Sequence, residues 1–129
     1  MDVFVDKKTV SNQDLDQLNH VNNVRYVQWV QNIAEKHWLN KASKDILNTC
    51  YWVLIEHTIT YKQAAVLGDI VRIETHILSS DGVKSIRQVQ FYNDATDVLL
   101  ASSKTTWCFM DTKTNRPKRI TKDIAVLFN

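Results

Sequence analysis

Within ten residues the chain carries two carboxylates, an imidazole and, at the downstream edge, an adjacent pair of amides: Asp14, Asp16, His20, Asn22 and Asn23. Just downstream the pattern turns helical, and a helix start presents unpaired N–H donors and a partial positive charge. That combination suits hydrolysis of an acyl compound. The terminal N–H groups can stabilise a developing oxyanion, while a nearby carboxylate activates water or attacks the carbonyl itself. One such donor is worth ~10²–10³ in rate, about 2.7–4 kcal/mol. The same residues also fit a plain capped helix, because Asp before a helix meets its dipole and the short amide of Asn22 or Asn23 serves as N-cap. Spacing alone leaves both readings open.

The elements that would position this cluster can be read from periodicity. Tyr26, Val27, Val30, Ile33, Ala34 and Trp38 recur at three- and four-residue intervals, which predicts an amphipathic helix over about Val24 to Leu39. Trp29 and His37 widen its apolar stripe, so the helix is expected to be covered on more than one side; His37 is expected to close the helix end, and Glu35 to face solvent. A short strand is predicted within Asp2 to Val10. After the helix everything alternates with period two. In Trp52 to Lys62, Val53, Ile55, Ile59 and Tyr61 form one face, which His57 shares. Gly68-Asp69 turns into a run carrying Val71, Ile73 and Ile77, and Ser79 to Gly82 reads as a hairpin connection into Val83 to Asn93, with a bulge near Arg87-Gln88. Val98 to Met110 is the last long strand, and Thr121 to Phe128 a short closing helix. The order strand, long helix, four strands predicts an α+β fold in which one antiparallel sheet curls around one helix, as a single domain over residues 1–129.

Composition excludes several classes. There are two glycines and one proline in 129 residues, where average usage would give about fifteen together. Gly68 and Gly82 stand fourteen positions apart, so neither a dinucleotide fingerprint, nor a phosphate-binding loop, nor a Gly-x-Ser-x-Gly elbow can be built. Sixteen basic against fourteen acidic residues give +2, too balanced for a dedicated nucleic-acid or membrane-surface binder. Cys50 and Cys108 lie in apolar aromatic runs and read as buried free thiols in a reducing compartment, with a disulfide between them as the alternative. With no signal-like start and no apolar run near 20 residues, a cytoplasmic protein is expected. His20, His37, His57 and His76 show no metal-ligand spacing, so neither metal nor cofactor is expected.

The stretch Asp14-Leu15-Asp16-Gln17-Leu18-Asn19-His20-Val21-Asn22-Asn23-Val24-Arg25-Tyr26-Val27-Gln28-Trp29 closely resembles the signature of the hotdog-fold thioesterases. The likeness is to the branch of 4-hydroxybenzoyl-CoA and long-chain acyl-CoA thioesterases, and plant acyl-carrier-protein thioesterases carry a very similar His-Val-Asn-Asn stretch. Ala64 to Asp69 resembles the loop before that family's third strand, and Asn115-Arg116-Pro117 its closing turn. The resemblance implies a hotdog fold, a long central helix wrapped by a curved antiparallel sheet of five or six strands. It also implies pairing of two subunits sheet edge to sheet edge, as a homodimer or a dimer of dimers, with active sites at the interface. Carried over to this sequence, it makes Asp16 the catalytic carboxylate and the N–H near Asn23 the group that polarises the thioester carbonyl. His20 joins them, and Asn22 and Tyr26 match positions at the acyl pocket. Ser11-Asn12 departs from the basic-aromatic pair that many relatives carry there, which bears on the acyl entrance rather than on the carboxylate.

The activity so implied is hydrolysis of acyl-CoA to a carboxylic acid and coenzyme A. The alternatives are an acyl-carrier-protein thioesterase, or a non-catalytic acyl-CoA or carrier-protein binding domain. Asp14 is expected to brace the loop. His57 is either a satisfied core or interface histidine or a pocket-lining one. Lys113 to Lys122 carries five positive charges that are either a solvated face or, through Arg116 and Arg119, contacts to coenzyme A phosphates.

Overall fold

The computed structural model describes Met1–Asn129. Five strands, β1 (Phe4–Thr9), β2 (Cys50–Tyr61), β3 (Ile70–Asp81), β4 (Lys84–Asn93) and β5 (Leu99–Asp111), make one antiparallel sheet in the order β1-β3-β4-β5-β2. Three helices, α1 (Asn23–Lys41), α2 (Lys44–Thr49) and α3 (Lys122–Ala125), complete the chain, with 3₁₀ turns at Asn12–Asp14 and, after α3, at Val126–Phe128. Both glycines sit in turns at positive φ, Gly68 at 85° and Gly82 at 61°, where a side chain would strain the backbone.

Helix α1 starts and ends for local reasons. The Asn22 Oδ1 accepts the Val24 N–H at 3.0 Å, and the Ala42 N–H returns to the Trp38 carbonyl at the other end. At 1.5 Å per residue its 19 residues span about 28 Å. Tyr26, Trp29, Val30, Ile33, Ala34 and His37 form its buried stripe. Most of that stripe packs in one cluster with Val71 and Ile73 of β3, Val89 and Phe91 of β4, and Leu100 and Ala101 of β5. Each Val, Ile, Leu or Phe among them, fully buried, contributes about 1.5–3 kcal/mol. A smaller cluster of Cys50, Phe109 and Ile124, with Trp38 and Trp52 packed on it, closes the far end of the helix. Cys50 and Cys108 are buried and unpaired, as their apolar flanks predict, and burial pushes the Cys50 thiol up. No helix is long and apolar enough to cross a membrane.

Three expectations need correction. Val53 and Ile55 do not share the inward face of Ile59: they are exposed at 40% and 49%. The register of β2 against β5 shifts between Leu54 and Glu56, so the inward side is Trp52 and Leu54 before the irregularity and His57 and Ile59 after it. One extra residue inverts every later side chain. The irregularity expected at Arg87-Gln88 lies instead in the facing strand, between Ile77 and Ser79, while Arg87 and Gln88 keep regular partners in Ile77 and His76. His37 does not close the helix end; it is wholly buried, held between Asp2 and Arg87.

Candidate active site

Asp16 stands at the neck of a tight loop. Leu15 and Val21 bridge antiparallel, the Asp16 N–H donates to the His20 carbonyl at 2.8 Å, and the Asn19 N–H to the Asp16 carbonyl at 3.1 Å. Asn19 makes the reversal at φ 61°, a left-handed conformation that asparagine tolerates better than most residues. The half-buried Asp16 side chain closes the loop from within: its Oδ1 accepts the N–H groups of Leu18 at 2.9 Å and His20 at 3.2 Å. Its Oδ2 has no partner in the chain. One oxygen therefore fixes the carboxylate and the other is left to act.

The surrounding chain holds this loop still. Asp14 is buried and spent on bracing, since it accepts the Ser11 N–H at 2.9 Å and the Ser11 hydroxyl at 3.1 Å and pairs with Arg25 at 3.5 Å. The Val21 N–H donates to the Ala65 carbonyl at 2.9 Å, and His20 bridges Val66. The Ala64 to Asp69 segment is pinned in turn, because the Asp69 Oδ2 accepts the Val66 N–H and its carbonyl accepts the Val10 N–H. The ring of His20 is exposed.

Two residues past Val21 the helix begins. Asn22 occupies the Val24 N–H with its side chain and the Arg25 N–H with its carbonyl, at 2.9 Å. The Asn23 N–H meets no acceptor in the chain and remains an open donor. The Tyr61 hydroxyl donates to the Asn23 carbonyl over a long 3.4 Å. Beneath it Tyr26 is almost fully buried, edge-on to Trp29, Tyr61 and Phe91. Its hydroxyl is the single buried side-chain oxygen without a hydrogen-bond partner, and burial pushes it up to about 12, against a weaker pull from the Ala65 backbone. A carboxylate with one free oxygen and a helix-start N–H with no acceptor are the parts that acyl hydrolysis requires.

The chain does not bring all the expected residues together. His57 is half-buried on β2, with its Nε2 at 2.8 Å from the Ser103 Oγ, and burial lowers its tendency to protonate. Arg116 is exposed in the turn after β5, where Met110 bridges Pro117. That turn borders the Cys50 end of β2, since the Asp111 N–H donates to the Arg116 carbonyl and Cys50 pairs with Asp111. Asn23 borders the Tyr61 end. The 12 residues of β2 put roughly 35 Å between these ends at 3.3 Å per residue.

A cavity of about 310 Å³ lies toward the second half of α1, lined among others by Trp38, Trp52, Trp107 and Arg87, and it includes none of Asp16, His20, Asn22, Asn23 and Tyr26. Arg87 escaped the sequence reading because a charge at alternate positions of a strand looks like a solvent face. The signal that could have found it is its company: Val89 and Phe91, at the same strand parity, are both buried.

The sequence profile of the thioesterase-like superfamily matches residues 10–128. No curated protein sequence matches the chain. Among solved structures, it is similar to a probable thioesterase from Escherichia coli, at TM-score 0.86 and 21% identity over 95% of this chain and 94% of that one. A 1,4-dihydroxy-2-naphthoyl-CoA thioesterase from Synechocystis is similar at TM-score 0.83 and 14% identity, over 97% and 94%. A hypothetical protein from Staphylococcus aureus, solved in complex with CoA, gives TM-score 0.85 and 15% identity, over 97% and 80%. At these identities the structural likeness speaks for the fold.

Proposed function

The chain belongs to the thioesterase-like superfamily, and on that premise we propose that it hydrolyses acyl-CoA thioesters to a free carboxylic acid and coenzyme A. The observation that carries the reading is the Asp16 carboxylate, tethered through Oδ1 to two backbone N–H groups and free at Oδ2, on the loop that feeds the open Asn23 N–H. Thioester hydrolysis in general is supported by the family match. Its acyl-CoA form draws support from the CoA bound to the Staphylococcus aureus relative.

In the proposed reaction the thioester oxygen accepts the Asn23 N–H, which stabilises the charge that develops there. Asp16 takes a proton from water as the hydroxide adds to the carbonyl carbon; alternatively its Oδ2 adds directly, forming an anhydride that water then opens. In both routes the C–S bond breaks and coenzyme A leaves as thiolate, which needs no general acid at neutral pH. Asn22 holds the helix start, and the buried Tyr26 ring backs the acyl site from beneath. His20, exposed on the Asp16 loop, is a further contact to the bound acyl thioester.

Arg116 joins this site only in an assembly. β2 is an edge strand with Val53 and Ile55 exposed. Two copies paired antiparallel along it would set the Arg116 end of one beside the Asn23 end of the other. We read the active unit as that dimer, alone or doubled, in which α1 fills the curve of each sheet and Arg116 meets the coenzyme A phosphates of its partner's substrate.

Thiol release from a panel of acyl-CoAs, acyl-pantetheines and acyl-carrier-protein thioesters tests the reading. It predicts turnover of acyl-CoA, with Arg116→Ala raising KM for acyl-CoA and not for acyl-pantetheine. Turnover of carrier-protein thioesters alone would reassign the substrate. No release from any thioester would leave a binding domain.

A further inference from the structure

The cavity beside the second half of α1 contains a charge with no counter-ion. Arg87, 4% exposed, lies on β4 with its Nη1 donating to the His37 Nδ1 at 2.9 Å and to the Thr75 Oγ1 at 3.0 Å. An arginine only donates, so the His37 Nδ1 is the acceptor; the ring's proton therefore sits on Nε2 and points to Asp2 Oδ2 at 2.6 Å. His37 is thus neutral, and Asp2 reaches the guanidinium only through it. No carboxylate pairs with Arg87 within 4 Å, although it is the one buried arginine of the chain.

The rest of the guanidinium fork makes no hydrogen bond in the chain and is not sealed off from solvent, whereas the Tyr26 hydroxyl is. It opens into the cavity that Arg87 lines. Such burial pushes the Arg87 guanidinium down to about 10, so it is still a cation at neutral pH. A buried cation met only by two hydrogen bonds and by the Phe128 ring, 5.6 Å from its Cζ, still lacks a counter-charge, and an anion that brings two oxygens to a planar fork supplies it.

The remaining walls specify the body of the ligand. Trp38, Trp52, Trp107, Phe128 and Ile77 surround about 310 Å³ of space. A cavity of roughly 150 Å³ suffices for one benzene ring, so a ring with a substituent fits. Glu35 at the rim is exposed to water, which screens it from an incoming anion. We propose that this cavity is a binding site for a small aryl carboxylate, its carboxylate forked onto Arg87 and its ring among the tryptophans. The inference goes beyond thioester hydrolysis, because it concerns binding of a free acid at a place apart from Asp16.

Calorimetric titration of the full chain with 4-methylbenzoate and with 4-methylbenzamide tests it, with no turnover involved. The acid is expected to bind at least about tenfold tighter than the amide, as a charge-assisted contact to a buried cation requires. Ile77→Trp, which fills the cavity and leaves Arg87 in place, is expected to abolish binding of the acid, and Arg87→Met to equalise acid and amide. Equal affinity for the two compounds in the wild type, no binding of millimolar acid, or unchanged binding in Ile77→Trp would each overturn the proposal. If Arg87→Met fails to fold, the wild-type pair still decides.

Discussion

His37 should make the fold lose stability as pH drops below neutrality. Its ring is fully buried, against Phe4 and Phe128, with Arg87 donating to one nitrogen and Asp2 accepting from the other. A proton added at Nδ1 would set an N–H against the Arg87 N–H. Burial is the largest influence, and with Arg87 and Lys41 it holds the imidazole below its ordinary value of 6.5 despite Asp2. The unfolded chain therefore takes up a proton at a pH where the folded chain refuses it, and stability rises with pH through that window. The contribution is complete above about pH 7.5. It declines below 6.5 by at most one proton's worth, about 1.4 kcal/mol per pH unit, until the folded group itself protonates. Asp2 is held below the usual carboxylate range chiefly by His37, so it stays ionised in both states between pH 7.5 and 5.5 and does not blur the window. Urea melts of the wild type and His37→Gln at pH 7.5, 6.5 and 5.5 measure the effect as a difference of slopes, which leaves the other three histidines to cancel. The wild type should lose more stability than the variant on acidification. Equal slopes, or a wild type that gains stability toward pH 5.5, would refute the neutral, pinned imidazole.

The loop and the sheet edge make further commitments. Asn19→Val places a β-branched residue at φ 61°, which should cost about 1–3 kcal/mol in thermal or urea melts. It should also reduce turnover more than that loss of stability explains, because the Asp16 hydrogen bonds close the same turn. Ile55→Lys puts a charge on the exposed bulge of edge strand β2 and should shift the chain toward monomer in sedimentation, together with a loss of turnover. An Ile55→Lys protein that keeps the wild-type mass and rate would remove β2 from the assembly.

Periodicity carried much of the fold. The helix expected over Val24 to Leu39 is α1 at Asn23–Lys41, and each expected strand has its counterpart, because long runs repeat one signal many times. Short or irregular features were not legible. Helix α2 has six residues, too few for a period, although Ser43, whose Oγ accepts the Ile46 N–H at 3.2 Å, was a readable cap. The inverted face of β2 depends on a single extra residue, which alternation does not reveal when Val53, Ile55 and Ile59 are all apolar. In the candidate site, the residue types from Asp14 to Asn23 were visible as a cluster. What they could not disclose was the split of the Asp16 oxygens, one tied and one free, since that follows from the reversal at Asn19. The sequence offers His37 only as a stripe or helix-end residue and Arg87 only as part of a slip in alternation, because burying a charge depends on partners from three distant segments, Asp2, Thr75 and Phe128.

The central claim is that the free oxygen of Asp16 does the chemistry. Asp16→Asn keeps the size of the side chain and the Oδ1 acceptor for Leu18 and His20, so circular dichroism and melting should stay close to wild type. Thiol release from the best acyl-CoA substrate should fall by at least about two orders of magnitude, the scale set by loss of a base or nucleophile. A folded Asp16→Asn protein that turns over near the wild-type rate would contradict the account.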